Sequence, residues 1–277
     1  MRPPCGVVTL TTDFGIEDSY VGTMKGVGLR IFPEIRIVDI THHVAPTDVL
    51  EASLVLESSY PYFPVGAVHV AVVDPGVGTN RRPILVVAQD HYFVGPDNGT
   101  FTRILESGTV EAVFVIENPS LMLADISNTF HGRDVFAPAA AYVARGVAPS
   151  EFGRQVSDAV RVALPEPKIY ANQLAGEVVY IDSFGNVITN ISKKQFDENV
   201  GRRAVRIRLN GKVVDQVHRS YLEGPQGRLL ALFGSSNLLE LAVAGGRADR
   251  RIGAGKGDTV FVDVLDGEER PAGGFDY

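Results

Sequence analysis

Val68-His69-Val70-Ala71-Val72-Val73-Asp74-Pro75-Gly76-Val77-Gly78-Thr79 is the stretch on which the fold turns. Its first six residues are Val-rich, interrupted only by His69 and Ala71. That is the pattern of a strand buried on both faces, and such strands sit in sheets covered by helices on both sides. The run then breaks at an acid, a proline and two glycines, which marks a loop leaving the end of a strand.

Working outward, Val7–Thr11 reads as another strand, followed by the polar corner Thr11-Thr12-Asp13-Phe14-Gly15. Tyr20, Met24, Val27 and Ile31 recur at helical spacing within Ser19–Phe32, and Pro33 supplies the stop. Ile35–Ile40 reads as a buried strand, and Asp48–Tyr60 as a helix capped by Thr47 or Asp48. Downstream, Ile84–Ala88 and Tyr92–Val94 pair around Gln89-Asp90-His91, Val110–Ile116 is a further strand, and Asp134–Arg145 is an Ala-rich helix. This alternation predicts an α/β fold with a largely parallel, Rossmann-like N-terminal sheet and helices on both faces.

The pattern changes at Leu164-Pro165-Glu166-Pro167. Beyond it come short strands: Gly176–Ile181, Val187–Asn190, Ala204–Leu209, Lys212–Val217, Leu229–Phe233 and Thr259–Val264. Asn210-Gly211 is a hairpin turn between two of them. The expected organisation is an α/β domain over residues 1–163, a linker over 164–173, and a smaller antiparallel β-barrel-like domain over 174–277.

Composition limits the function. A net charge of −7 argues against a nucleic acid or an anionic membrane as the main partner, and leaves room for a cationic small molecule. Cys5 is the only cysteine, so there is no intramolecular disulfide and no Cys-rich zinc site. His42 and His43 are adjacent and on a strand would face opposite ways, so no metal site is expected. No signal peptide and no apolar run of roughly 18 residues is legible, so a cytoplasmic location is expected.

Four Gly-containing corners could carry chemistry, and each also has a bland reading. Asp13 follows a strand end, where open α/β sheets bind ligands and a carboxylate can take both hydroxyls of a ribose; otherwise it is a turn or cap. Asp74 is followed by Arg81 and Arg82, either of which could hold its carboxylate ionised; otherwise the segment is a surface turn. His131, in Phe130-His131-Gly132-Arg133-Asp134, could be a base or a hydrogen-bonding clamp, or simply structural, while Asp134 reads as a capping acid. Asp182-Ser183-Phe184-Gly185-Asn186 offers a stacking face and an amide suited to a base edge, or a plain β-turn. Asp97-Asn98-Gly99 reads as a turn whose Asp could line the pocket.

Taken in order, Thr12-Asp13-Phe14-Gly15, Tyr20-Val21-Gly22, Met24-Lys25-Gly26, Val73-Asp74-Pro75-Gly76-Val77-Gly78-Thr79, Gly95-Pro96-Asp97-Asn98-Gly99, Phe130-His131-Gly132-Arg133-Asp134 and Phe184-Gly185-Asn186-Val187 resemble the S-adenosylmethionine hydroxide adenosyltransferase family, relatives of the fluorinase and chlorinase enzymes. The resemblance spans essentially the whole chain. It implies an Asp-Arg-His triad at Asp74, Arg81 and His131, with Arg81 rather than Arg82 at the family's spacing of seven. It implies Asp13 at the ribose, Phe184 and Asn186 at the adenine, Asp182 at the methionine amine, and Ser235, with Ser236, at the methionine carboxylate. It also implies a homotrimer with active sites between subunits.

The halogenating relatives carry Tyr and Thr where this chain has Asp74 and Val77, and they have an extra N-terminal loop. The resemblance therefore points to the hydrolytic branch: water or hydroxide attacks ribose C5′ of S-adenosylmethionine, releasing adenosine and methionine. No cofactor and no metal are implied. The alternatives are a halogenase acting at the same carbon and a non-catalytic S-adenosylmethionine sensor. Ser236 stands where the halogenases have Arg, so the grip on the carboxylate differs from theirs.

Overall fold

The computed structural model describes residues 2–106 and 108–269, the last four of these by backbone alone. The chain divides into two compact units, Met1–Ala163 and Leu164–Tyr277.

The first unit is a seven-stranded sheet built from β1 (Val7–Thr12), β2 (Arg36–Thr41), β3 (Val68–Val72), β4 (Pro83–Ala88), β5 (His91–Pro96), β6 (Val110–Val115) and β7 (Gln155–Val156), in the order β2-β1-β3-β5-β4-β6-β7. The β2-β1-β3-β5 half is parallel. The other half is antiparallel, because β5 pairs with β4, its predecessor in the chain, across a tight hairpin. Gln89 and Asp90 both take positive φ there (48° and 62°), the primed-turn geometry whose twist suits a two-residue connection. The sheet is therefore mixed rather than largely parallel.

Strand alternation splits the apolar residues between two layers. Leu10, Val70, Leu85 and Val94 face α1 (Tyr20–Ile31) and α4 (Ala137–Arg145). Ala71, Ile84, Val86 and Phe93 face α2 (Val49–Ser59) and α3 (Thr102–Glu106). β3 is buried at every residue, as its composition predicts. β2 is not: it forms the sheet edge and most of its residues are exposed or half-buried, so the expectation of a buried strand at Ile35–Ile40 is corrected. Asp48 caps α2 by accepting the Glu51 N–H at 3.0 Å.

The second unit is a curved sheet of β8 (Lys168–Tyr170), β9 (Gln173–Ile181), β10 (Val187–Ser192), β11 (Arg203–Leu209), β12 (Lys212–Val214), β13 (Val217–His218), β14 (Leu229–Phe233), β15 (Leu238–Val243) and β16 (Thr259–Glu269). Its order is β12-β11-β16-β9-β10-β15-β14-β13, with β8 added beside β9. All pairs but β13 with β14 are antiparallel. The sheet nearly closes, with β12 approaching β14 around one core that includes Val178, Val187, Ile207, Leu241 and Val262. Two short helices, α5 (Lys193–Val200) and α6 (Ala248–Ile252), add Phe196 and Ile252 to that core. Lys168–Tyr170, inside the stretch expected as a linker, is a strand. Asn210 and Gly211 both have positive φ (47° and 73°) at the turn between β11 and β12.

Candidate active site

The parallel half of the sheet sets the site. β1, β3 and β5 run the same way, so the residues just past their ends, Asp13, Asp74 and Asp97, emerge along one edge. Asp13, Asp74 and His131 line a single cavity of about 200 Å³ with Phe14, Thr47 and Val77 among its other walls.

Asp74 and Arg81 form a buried pair, with side chains 5% and 8% exposed. Arg81 Nε lies 3.0 Å from each carboxylate oxygen, and Nη2 also donates to Oδ2. Nη2 further reaches His131 Nδ1 at 2.6 Å. The guanidinium packs 5.2 Å from the centre of the Phe136 ring. Nη1 is buried and has no partner among the described residues. The loop that returns Arg81 to Asp74 depends on Gly78: its φ is +75°, and a Cβ there would meet the Asn128 carbonyl at 2.3 Å.

Arginine cannot give up its proton, so His131 Nδ1 must be the acceptor and the neutral ring carries its hydrogen on Nε2. Burial, followed by the adjacent Arg81 charge, holds the imidazole below the ordinary histidine range against smaller upward pulls from Asp74 and Asp134. His131 is placed by a π-helical turn, Gly132–Phe136, which replaces the first turn of the helix expected from Asp134. Asp134 is fully buried within that turn, accepting the Ser127 N–H at 2.8 Å and pairing with Arg133.

The neighbouring arginine does something else. Arg82 Nε donates to Asp97 at 2.7 Å, and Nη1 to Asp158 at 2.8 Å. Asp97 also accepts the Val160 N–H at 2.7 Å. The Asp97 carboxylate is thereby taken up in fastening the first unit's last segment, rather than lining the cavity.

Asp13 Oδ2 accepts the Thr47 N–H at 2.9 Å, and Thr47 adopts a left-handed φ of 66° to present it. Phe14, Tyr20 and Phe130 stack edge-on beside Asp13 with centroids 5.1–5.9 Å apart. Thr129 was not singled out from the sequence, Phe130 only as part of the His131 corner, and Thr47 only as a possible cap of α2. Thr47 follows Pro46 and carries no motif, so only its conformation marks it.

In the second unit the Asp182–Asn186 corner closes on itself. Asp182 accepts the Asn186 N–H at 2.8 Å and its Nδ2–H at 2.9 Å. The pair fixes an amide whose oxygen and second N–H have no partner among the described residues. Gly185 has φ +84°, and a Cβ there would strike Asp249 and Arg247. Phe184 stands 76% exposed, an apolar ring offered to whatever binds. Ser235 and Ser236 sit in the turn between β14 and β15, their hydroxyls without partners among the described residues. Each unit thus brings its own predicted residues together: Asp13, Asp74, Arg81 and His131 in the first, Asp182, Phe184 and Asn186 in the second, with Ser235 and Ser236 on a separate turn.

The chain matches the model of the SAM hydroxide adenosyltransferase N-terminal domain over residues 8–153, and that of the C-terminal domain over residues 176–261. The chain belongs to the SAM hydroxide adenosyltransferase family. Within it, this chain is 38% identical to a Salinispora tropica protein named (R)-S-adenosyl-L-methionine hydrolase, covering 94% of this chain and 98% of the relative. A Thermus thermophilus protein of the same name is 39% identical, over 94% and 99%. A fluorinase from an Actinoplanes species is more distant, at 29% over 74% and 78%. A solved structure of an uncharacterised conserved protein from Thermotoga maritima superposes with a TM-score of 0.87 at 36% identity, covering 93% of this chain and 99% of that one.

Proposed function

We propose that this chain hydrolyses S-adenosyl-L-methionine, as the (R) sulfonium epimer, to adenosine and L-methionine. The observation that carries the proposal is the buried Asp74–Arg81–His131 unit, whose Asp74 and His131 line the same cavity as Asp13. Asp13 takes the ribose hydroxyls, with one oxygen already anchored by Thr47. Phe184 stacks on adenine and Asn186 reads its edge, Asp182 takes the methionine ammonium, and Ser235 with Ser236 takes the carboxylate. These two groups of residues meet in a homotrimer, the second-unit residues coming from a neighbouring copy. The four parallel strands serve the nucleoside half of the substrate as a Rossmann-like half-sheet would.

The chemistry asks for little beyond placement. The C5′–S bond breaks with its electron pair going to sulfur, which leaves as a neutral thioether and needs no acid. Water supplies the C5′–O bond and releases one proton. Holding water in line can contribute on the order of 7–11 kcal/mol. His131, with hydrogen on Nε2, can donate to that water but cannot take its proton. The Asp74 carboxylate is the acceptor, and Arg81 keeps it oriented. A substrate that carries its own activated leaving group requires neither metal nor cofactor.

The test is to incubate the purified protein with S-adenosylmethionine, with and without chloride or fluoride, and to chromatograph the products. Adenosine and methionine in equal amounts, independent of halide, are expected. Halogenated nucleoside would assign the halogenase activity instead, and intact substrate would leave a binding protein.

A further inference from the structure

Thr12, directly before Asp13, is fully buried, and its hydroxyl is shared between two partners. It accepts the Phe14 N–H at 3.3 Å and lies 2.9 Å from His42 Nδ1. His42 is itself 4% exposed. Its Nε2 lies 3.1 Å from Asp39 Oδ1, an ion-pair distance without full hydrogen-bond alignment, and Asp39 Oδ2 takes the Lys25 ammonium at 2.5 Å. The His42 carbonyl also accepts the Gly15 N–H at 2.7 Å.

With a neutral His42 ring these contacts allow one consistent set of hydrogens. Asp39 can only accept when ionised, so His42 carries its hydrogen on Nε2 and the neutral ring accepts at Nδ1. Thr12 then donates to His42 and accepts from Phe14. Donors and acceptors then alternate along Lys25–Asp39–His42–Thr12–Phe14, the His42–Asp39 step being an ion-pair contact rather than a well-aligned hydrogen bond. Burial raises the Asp39 carboxyl, yet the bonds from Lys25 and His42 outweigh it and leave Asp39 below the usual carboxylate range. The line runs from α1 through the edge strand β2 to the end of β1, and it brackets Asp13, held by Thr12 and Phe14 on either side.

We propose that His42 is a positioning residue for the nucleoside: acting through Thr12, it fixes the backbone that aims the Asp13 carboxylate at the ribose. This rests on reading Asp13 as the ribose acceptor. His42 touches neither the water nor Asp74, so its loss acts on substrate binding and spares the chemical step.

The experiment compares His42→Ala, His42→Asn and His42→Gln for KM, kcat and Tm. Asn places a polar atom near the Nδ1 position, facing Thr12, whereas Gln places one near Nε2, facing Asp39. His42→Ala and His42→Gln are expected to raise KM roughly tenfold with kcat little changed, the signature of lost uniform binding. His42→Asn is expected to restore most of that loss. KM that follows Tm across the three, or a fall in kcat with constant KM, overturns the proposal. Should the His42 variants fail to fold, the near-isosteric Thr12→Val set against Thr12→Ser asks the same question: only the valine should raise KM, and equal KM for both overturns it. Asp13→Ala is the reference. Unchanged KM in Asp13→Ala means that the ribose reading itself has failed, whereas a raised KM there with normal KM in His42→Gln rejects His42 alone.

Discussion

Replacing Asp74 with Asn keeps the shape of the side chain and removes its charge, and two separate losses follow. The first is stability. The Asp74 and Arg81 side chains are 5% and 8% exposed, so they fall in the buried-pair regime rather than that of a surface ion pair. Removing one member strands a buried guanidinium, whose Nη1 already lacks a partner. That typically costs about 3–5 kcal/mol, which at 2–4 °C per kcal/mol is a fall in Tm of about 6–20 °C. The second loss is catalytic. Asn cannot take a proton from water, and loss of a positioned base lowers kcat by about 10²–10⁴. Affinity for S-adenosylmethionine should hold, since Asp74 acts on the water. Calorimetric titration, scanning calorimetry and chromatographic assay of adenosine separate the three quantities. The double variant Asp74→Leu/Arg81→Met removes both charges together, and should regain most of the stability while remaining inactive. An Asp74→Asn protein with near-normal kcat, or a double variant that regains activity, would refute the assignment of Asp74.

Asp13→Ala should raise KM at least roughly tenfold, because the ribose loses a charged acceptor and even one such bond is worth about 1.5–3 kcal/mol; isothermal titration and steady-state kinetics measure it. Proton uptake at His131 Nδ1 would evict the Arg81 N–H, and burial beside Arg81 holds that imidazole below the ordinary histidine range. The acid limb of kcat/KM should therefore fall below pH ~6.5, the unperturbed histidine value, and a limb centred at or above it counts against the geometry. Stability should show the same sign. His69 is pushed down to about 3 by burial and His91 is lowered by burial, so below pH ~6.5 the unfolded chain binds protons that the native chain refuses. Tm should be flat above pH 7 and fall steadily between pH 6.5 and 4, less so in His69→Phe. If sites are completed by a neighbouring copy in a trimer, co-assembling inactive Asp74→Ala and Asp182→Ala chains should regenerate roughly a quarter of the sites; no recovered activity, or a monomer by light scattering, would rule that arrangement out.

Much of this molecule could be read from its residues, and the failures have identifiable causes. The Val-rich run before Asp74 predicted a doubly covered strand because burial on both faces leaves no alternation to confuse. The same logic misplaced β2, whose apolar residues sit at a sheet edge, because strand order is a long-range property that local composition does not encode. The parallel sheet was overextended for a similar reason. The Gln89-Asp90 turn predicts a hairpin, but not that the hairpin inserts β5 between β3 and β4. α5 and α6 carried weak signals, since both are short and neither is strongly apolar, whereas β15, apolar at five of its six residues, went unassigned because Leu, Glu and Ala read as helix as readily as strand. In the site, the residues alone left Arg81 and Arg82 open as partners of Asp74; the family resemblance pointed to Arg81, and it is Arg81 that binds Asp74 while Arg82 binds Asp97. Thr47 was read only as a possible cap and His42 only as a poor metal ligand, because a backbone N–H to Asp13 and a ring contact to Thr12 leave no trace in residue type.

The fastening made by Arg82 bears on how the protein can be cut. Asp158, Val160 and Val162 precede the proline-rich stretch that invites a cut, yet their contacts reach Arg82, Asp97 and Thr102. Gly99 also lies against Val162, so closely that a Cβ there would meet it at 2.3 Å. A fragment ending at residue 157 would keep every helix and strand of the first unit and the Arg82–Asp97 bond, and lose the bonds from Arg82 to Asp158 and from Val160 to Asp97. One ending at 163 keeps both. Those six residues belong to no helix or strand, but they add to how firmly an isolated first half holds the loop that carries its arginines.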